Sequence, residues 1–348
     1  MKSLRAPLQL LTCEAARPLA SAVAAQLGLG LSKSSDQWFA SGEGKHVIAE
    51  NVRGSDVYVF GAPIAPGDER SVYDRFIMTL HAVEAATQSD AEWVTAVLPY
   101  YPGARQDKRK GRTREAISAG LFARMLQEAG ARRVVTVDIH NEAIAGMFDP
   151  TRCRLENVEL CHRFARHLRW RGLAGGTVAA PDVGGLERAR HFAAELSADL
   201  VAISKERDYS QANTVQRATL IGEVEGRDVL LVDDIIDTAG SVVAAVSALR
   251  ERGALNITVA CSHALMSPPA WERLGALHAR SVAEGWRFRV VGSTSVVHPN
   301  PPDWFGAFDI APLLAEVINS INGRGSVTGA QEADEALSGG GDPHSGCA

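Results

Sequence analysis

Short β-branched and apolar runs alternate along this chain with longer stretches whose apolar positions recur at helical spacing. Asp56-Val57-Tyr58-Val59-Phe60 predicts a buried strand. Residues 71–86 follow with Val72, Phe76, Met78 or Leu80, and Val83 on one helical face. Trp93 to Leu98 is a second strand, closed by Pro99, and residues 117–129 form a helix stopped at Gly130. Val134 to Asp138 is a third strand. The second half repeats the rhythm: strands at 177–180, 200–203, 220–225, 229–232 and 257–260, helices at 186–196 and 241–252. Strands alternating with helices predict mainly parallel sheets covered on both faces, an α/β architecture. Two of the strands end in acids, at Asp138 and at Asp233-Asp234, a hint of two similar halves.

Length and charge refine this picture. The chain has 348 residues, enough for two domains, with 46% hydrophobic and 22% charged residues. Its net charge of −5 owes most to the last twenty residues, which hold Glu332, Asp334, Glu335 and Asp342 and no Lys or Arg. The remainder is close to neutral, so neither a basic field for nucleic acid nor an acidic solvating chain is present. Residues 329–348 are acidic and Gly/Ser-rich, and they read as a disordered tail. No run of 18 uncharged apolar residues exists, which excludes a membrane-spanning helix. The five cysteines, Cys13, Cys153, Cys161, Cys261 and Cys347, are widely spaced with no C-x-x-C pair. That spacing argues for reduced, mostly buried thiols in a cytoplasmic protein.

The strongest chemical signal is residues 229–241, Val-Leu-Leu-Val-Asp-Asp-Ile-Ile-Asp-Thr-Ala-Gly-Ser. Ligands of such sheets sit at the carboxyl ends of the strands. Asp233 and Asp234 there can reach vicinal sugar hydroxyls, directly or through a hydrated cation. The turn Asp237-Thr238-Ala239-Gly240-Ser241 opens a helix, and its small residues let backbone amides converge on a phosphate. The carboxylate of Asp237 is expected to shape the loop by bonding its own backbone.

This pattern resembles the 5-phosphoribosyl 1-diphosphate (PRPP) binding loop of type I phosphoribosyltransferase folds. Other segments resemble one branch, ribose-phosphate diphosphokinase (PRPP synthase): Trp38 to Glu43, Glu50-Asn51-Val52-Arg53-Gly54, Pro99-Tyr100-Tyr101 with Ala104 to Asp107, Val137 to His140, Gly146 to Asp149, Pro181 to Gly185, Lys205-Glu206-Arg207 and Ala311 to Glu316. Together they run from about residue 8 to 328 in the family's order. The resemblance implies two tandem phosphoribosyltransferase-like domains, residues 8–160 and 161–328, with residues from about 305 packing back on the first. It implies transfer of the diphosphoryl group of Mg-ATP to the C1 hydroxyl of ribose 5-phosphate, giving PRPP and AMP.

It also implies roles for individual residues. Phe39, Ser41, Gly42 and Glu43 would form the adenine side, with Ser41 standing where the family usually has Asp. Arg105 and Gln106 would meet ATP, at the head of the six-cation run 105–114, which by itself reads as a solvated face. His140 and Asp182 would hold Mg²⁺, with Gly184 and Gly185 allowing close approach to a diphosphate. Lys205 and Arg207 would be the catalytic cations, Arg207 also meeting ribose 5-phosphate, because diphosphoryl transfer needs positive charge over the developing negative charge. Asp233, Asp234 and residues 237–241 would hold the sugar phosphate. On this reading the ATP residues and the sugar loop lie on separate segments. A homo-oligomer is implied, a hexamer built from dimers with ATP sites near subunit boundaries. The rival readings are a phosphoribosyltransferase, which would not need Arg105-Gln106 or Lys205/Arg207, and a non-catalytic regulatory homologue, which would have losses at Lys205, Arg207, His140 or Asp182, all four of which are present.

Overall fold

The computed structural model describes residues 6–109, 111, 113–207 and 215–332. The first half carries β1 (Leu8–Thr12), α1 (Arg17–Leu27), β2 (Ser34–Trp38), β3 (Gly44–Ile48), β4 (Asp56–Phe60), α2 (Val72–Gln88), β5 (Trp93–Val97), α3 (Ser118–Glu128), β6 (Arg133–Val137) and β7 (Arg154–Val158). Then follow α4 (Cys161–Trp170), β8 (Thr177–Ala180), α5 (Leu186–Leu196), β9 (Asp199–Arg207), β10 (Val215–Ile221), β11 (Val229–Ile236) and α6 (Gly240–Glu251). The last elements are β12 (Ile257–Ala264), α7 (Ala270–Ala283), β13 (Phe288–Ser293), β14 (Phe305–Phe308), α8 (Ala311–Asn322) and α9 (Val327–Glu332).

Two sheets result. One is all parallel, in the order β1-β4-β5-β6-β7. The other runs β10-β9-β8-β11-β12-β13-β14 and is parallel except for its edge strand β10. Strands β2 and β3 form a separate antiparallel hairpin. The expected α/β class with two sheet domains is therefore what the chain builds.

The alternation of side chains along each strand sorts them into three cores. Tyr58 and Phe60 face a central core, whereas Val57 and Val59 face an outer one beneath α2 and α3. In the second sheet Val178, Ala180, Leu230 and Val232 face the same central core, while Ala179, Val229 and Leu231 face the outer core beneath α6 and α7. Helices α1, α4, α5 and α8 fill the space between, so the central core takes half its walls from each domain. Polar clasps reinforce it. Asn322 at the end of α8 donates to Asp56 Oδ2 (2.9 Å) and to the Ala6 carbonyl (3.0 Å), and Arg163 on α4 forms a two-pronged pair with Glu316 on α8.

Element ends differ from the periodicity reading where local chemistry intervenes. Ser71 forms a reciprocal capping box with Asp74, which fixes the start of α2. The strand expected at 220–225 is instead β10, 215–221, because Gly222 takes a φ of 112° that ends it. Trp271 and Trp304, dense in a divergent segment, are core residues with ring centroids 5.8 Å apart, and Trp271 also meets Phe305 edge-on.

The expected tail boundary at 329 is too early. Residues 327–332 form α9, with Ala330 buried and its carbonyl accepting from Arg163 Nη2 (2.9 Å). Gln331 donates to the Asn157 carbonyl (3.2 Å). Six residues with only two apolar side chains, Val327 and Ala330, gave no signal for this helix. Residues 333–348, including Cys347, lie outside the described residues. Truncation after Glu332 is expected to leave the melting temperature and activity unchanged. Truncation after Ser326 should cost about 1–2 kcal/mol through lost packing and the freed Arg163, which comparison of the two by thermal denaturation would read directly.

Candidate active site

The carboxyl ends of both sheets meet at a cleft of about 600 Å³. Its walls include Asp107, Asp138, His140 and Asn141 from the first domain and Asp182, Gly184, Gly185, Arg188, Asp233 and Asp234 from the second. Four of the expected site residues, His140, Asp182, Asp233 and Asp234, are thus brought together from segments far apart in sequence. His140 Nδ1 lies 2.6 Å from Asp234 Oδ2, a bond that crosses between domains. Asp182 caps the short turn before α5, its Oδ1 accepting from the Gly185 amide at 3.1 Å. Its other oxygen is not used by that bond.

The two adjacent acids are driven apart electrostatically. Burial pushes the Asp233 carboxyl up to about 8, and the neighbouring Asp234 charge adds to this. Burial also opposes ionisation of Asp234, but the His140 hydrogen bond and the Arg188 charge outweigh it and hold its carboxyl well below the usual range. His140 is raised in turn, first by that hydrogen bond. The pair is therefore asymmetric: Asp234 favours ionisation and Asp233 resists it.

A carboxyl that titrates higher in the folded chain than in the unfolded one holds an extra proton between about 4 and 8, so ligand-free stability falls as pH rises through that window. His140 acts in the same sense, its contribution complete below its ordinary value near 6.5 and lost above its folded one. The melting temperature should decline between roughly pH 4 and 8, and Asp233→Asn should reduce that slope without abolishing it. An unchanged slope in the variant would remove the burial argument.

Residues 237–241 follow β11 directly. Ala239 sits at a left-handed φ of 60° and is the N-cap of α6. That is an unfavourable conformation for a residue with a Cβ, held here by the buried methyl and by the turn. The first amides of α6 have no acceptor within the helix, which leaves them for an anion. Asp237 does not bond its own loop as expected. Its carboxylate accepts from Arg105 Nη2 at 2.6 Å, and burial, which would raise it, is outweighed by Ser267 and Arg105. The two sets lie on separate segments of the chain but meet in space, because Arg105 from the first domain reaches Asp237. Arg273 Nη1 steadies the loop through the Thr238 carbonyl (2.9 Å).

Other expected residues are placed elsewhere. Gln106 turns away to Ser118, whose hydroxyl donates to Gln106 Oε1 at 2.5 Å. Phe39, Ser41, Gly42 and Glu43 form the exposed tip of the β2–β3 hairpin, closed by the Phe39 amide to the Glu43 carbonyl (2.8 Å), with Ser41 donating to Glu43 Oε2 (2.9 Å). Gly42 and Glu43 face α2 beside Asp74 and His81, and none of the four lines the cleft. Lys205 and Arg207 occupy the last positions of β9, opposite Ala218 and Val215 of β10. Their side chains, and residues Lys110 and Arg112 of the cationic run, lie outside the described residues.

Sequence reasoning missed Arg188 and the role of Asp138. Asp138 accepts from the Leu160 amide (3.0 Å) and from Ser262, and lies 3.4 Å from Arg188 Nη1. His263 adds a bond from its Nε2 to the Val137 carbonyl (2.9 Å). The only advance signal was the acid at the end of β6.

Family-level comparison covers the chain in the same order as its two sheets. Residues 8–130 match the N-terminal domain of ribose phosphate pyrophosphokinase, and 169–278 match the phosphoribosyl transferase domain. The ribose-phosphate pyrophosphokinase of Helicobacter hepaticus is 37% identical over 303 residues, 86% of this chain and 91% of that protein. That of Chlorobaculum tepidum is 40% identical over 270 residues, 77% and 80% of the two chains. The crystal structure of phosphoribosylpyrophosphate synthetase from Mycobacterium smegmatis matches with a TM-score of 0.80 at 31% identity, covering 92% of this chain and 100% of that one. Likeness of this extent, over both domains and in sequence as well as in fold, places the chain in the ribose-phosphate pyrophosphokinase family.

Proposed function

We propose that this chain transfers the diphosphoryl group of Mg-ATP to the C1 hydroxyl of ribose 5-phosphate, giving PRPP and AMP. The observation that carries the reading is the interdomain cleft, which gathers His140, Asp182, Asp233 and Asp234 at the end of the strand that leads into residues 237–241 and the N-terminus of α6. Residues 237–241 would take the 5-phosphate on the amides of α6, with Thr238 and Ser241 adding hydroxyl donors. Asp234 would accept from a ribose hydroxyl, while Asp233 can donate or accept. The anomeric oxygen then attacks the β-phosphorus in line and AMP leaves. Lys205 and Arg207 would meet the charge that develops on the transferred group.

The donor set in the cleft fits a hard divalent cation, because carboxylates predominate among its polar side chains. Asp182 and His140 would hold Mg²⁺, which when bound neutralises the phosphate oxygens and orients them. Arg105 would reach the ATP phosphates from the place where it now meets Asp237.

The hairpin tip supports a homo-oligomeric reading, with a hexamer the form the resemblance implies. Phe39 is exposed and stands apart from its own cleft, so the adenine side of a site would come from a second copy. Among the described residues no helix is long and apolar enough to cross a membrane. Incubation with ATP, ribose 5-phosphate and Mg²⁺ should yield AMP and PRPP in equal amounts. Release of ADP, or of no nucleotide product, would overturn the reading.

A further inference from the structure

We propose that the base of the β2–β3 hairpin is a binding site for a thiophilic divalent cation of the zinc class, held by Cys13, Asp36 and His46. Cys13 follows β1 and is fixed by its amide to the Phe60 carbonyl (3.0 Å). Asp36 and His46 stand directly opposite each other in the hairpin register. One ligating atom from each of the three residues lies within 4.8 Å of the others.

The environment separates this group from an ordinary surface cluster. The His46 side chain is fully buried, that of Asp36 is 7% exposed, and Cys13 is 3% exposed. Inward positions of a hairpin packed on a sheet normally carry apolar side chains. Here two of them carry polar groups, which is costly unless their bonding is completed. It is not completed: Asp36 Oδ1 meets His46 Nδ1 at 2.8 Å and Asp36 Oδ2 accepts from the Glu14 amide at 2.8 Å, but His46 Nε2 is buried without a partner.

Thiolate, imidazole and carboxylate together form a zinc-type donor set. Bonds of about 2.0–2.3 Å put tetrahedral ligand atoms roughly 3.5 Å apart, so small side-chain rotations close the site. A neighbouring cavity of about 300 Å³, which Cys13 and Asp36 line together with Trp38 and Met78, offers an entry path and room for a water as fourth ligand. The nearby Arg75 is engaged by Asp68 (3.4 Å) and by the Pro63 carbonyl (2.9 Å). On binding, the thiol proton leaves to solvent and no electron is transferred. The cation would tie both strands of the hairpin to the end of β1.

The site shares no residue with the Mg²⁺ cleft, and its soft donor distinguishes it. Chelator-treated full-length protein is titrated with Co²⁺ alone. The expected result is a thiolate-to-cobalt charge-transfer band saturating at one equivalent, with a rise in melting temperature. Cys13→Ser should abolish the band, and His46→Gln and Asp36→Asn should weaken binding at least 10-fold, each variant keeping its far-ultraviolet circular dichroism. Absence of the band in the unaltered protein overturns the proposal whatever the variants do. An equal band in Cys13→Ser overturns it too, because another cysteine would then be the ligand.

Discussion

Replacing Lys205 with alanine is expected to lower kcat by about 10²- to 10³-fold, the size of effect seen when one electrostatic stabiliser of a transition state is removed. The KM for ribose 5-phosphate should change little. The sheet register gives the reason. Ala202 of β9 lies beside Ala180, the last residue of β8, so Lys205 continues beyond the strand end that is followed by Asp182. On the proposed mechanism, a cation beyond that strand end would meet the transferred group rather than the 5-phosphate. Its contribution would be made chiefly as charge develops, which affects turnover more than binding. Steady-state kinetics with both substrates varied would decide it, and near-normal turnover would remove Lys205 from the mechanism.

The second large effect separates two neighbours in one loop. Thr238→Ala is expected to raise the KM for ribose 5-phosphate about 10- to 100-fold, the loss of one hydrogen bond to a charged group, and to leave ATP binding intact. Asp237→Ala should impair both ligands, because it releases Arg105, the residue proposed to meet the ATP phosphates. Calorimetry with each ligand on the two variants distinguishes them. If Asp237→Ala affected the sugar alone, the Arg105–Asp237 pair would be incidental to ATP binding.

Much of this was legible before the structure, for identifiable reasons. The buried strands at 134–137, 177–180 and 229–232 are short, mostly apolar runs, and the acids at or just beyond their carboxyl ends, Asp138, Asp182 and Asp233-Asp234, mark where ligands bind in such sheets. The residues that escaped notice act across long sequence separations. Nothing local in Arg105 points to Asp237, or in Arg188 to Asp138, since each partner comes from another domain or element. Cys13, Asp36 and His46 carry no zinc-like spacing, because the fold and not the chain brings β1 to the hairpin. The adenine-side residues were assigned by resemblance, and their distance from the cleft of the same chain is invisible to any linear reading.

The shared central core has a consequence for the order in which the protein comes into being. The inner face of the first sheet, with Tyr58 and Phe60, is covered by α1 but also by Leu314 and Ile318 of α8. Helix α8 leaves the ribosome on the order of 10 s or more after β7 at ordinary elongation rates. Until then that face lacks the part of its cover that α8 supplies. A first half expressed alone should therefore aggregate unless the second is supplied with it.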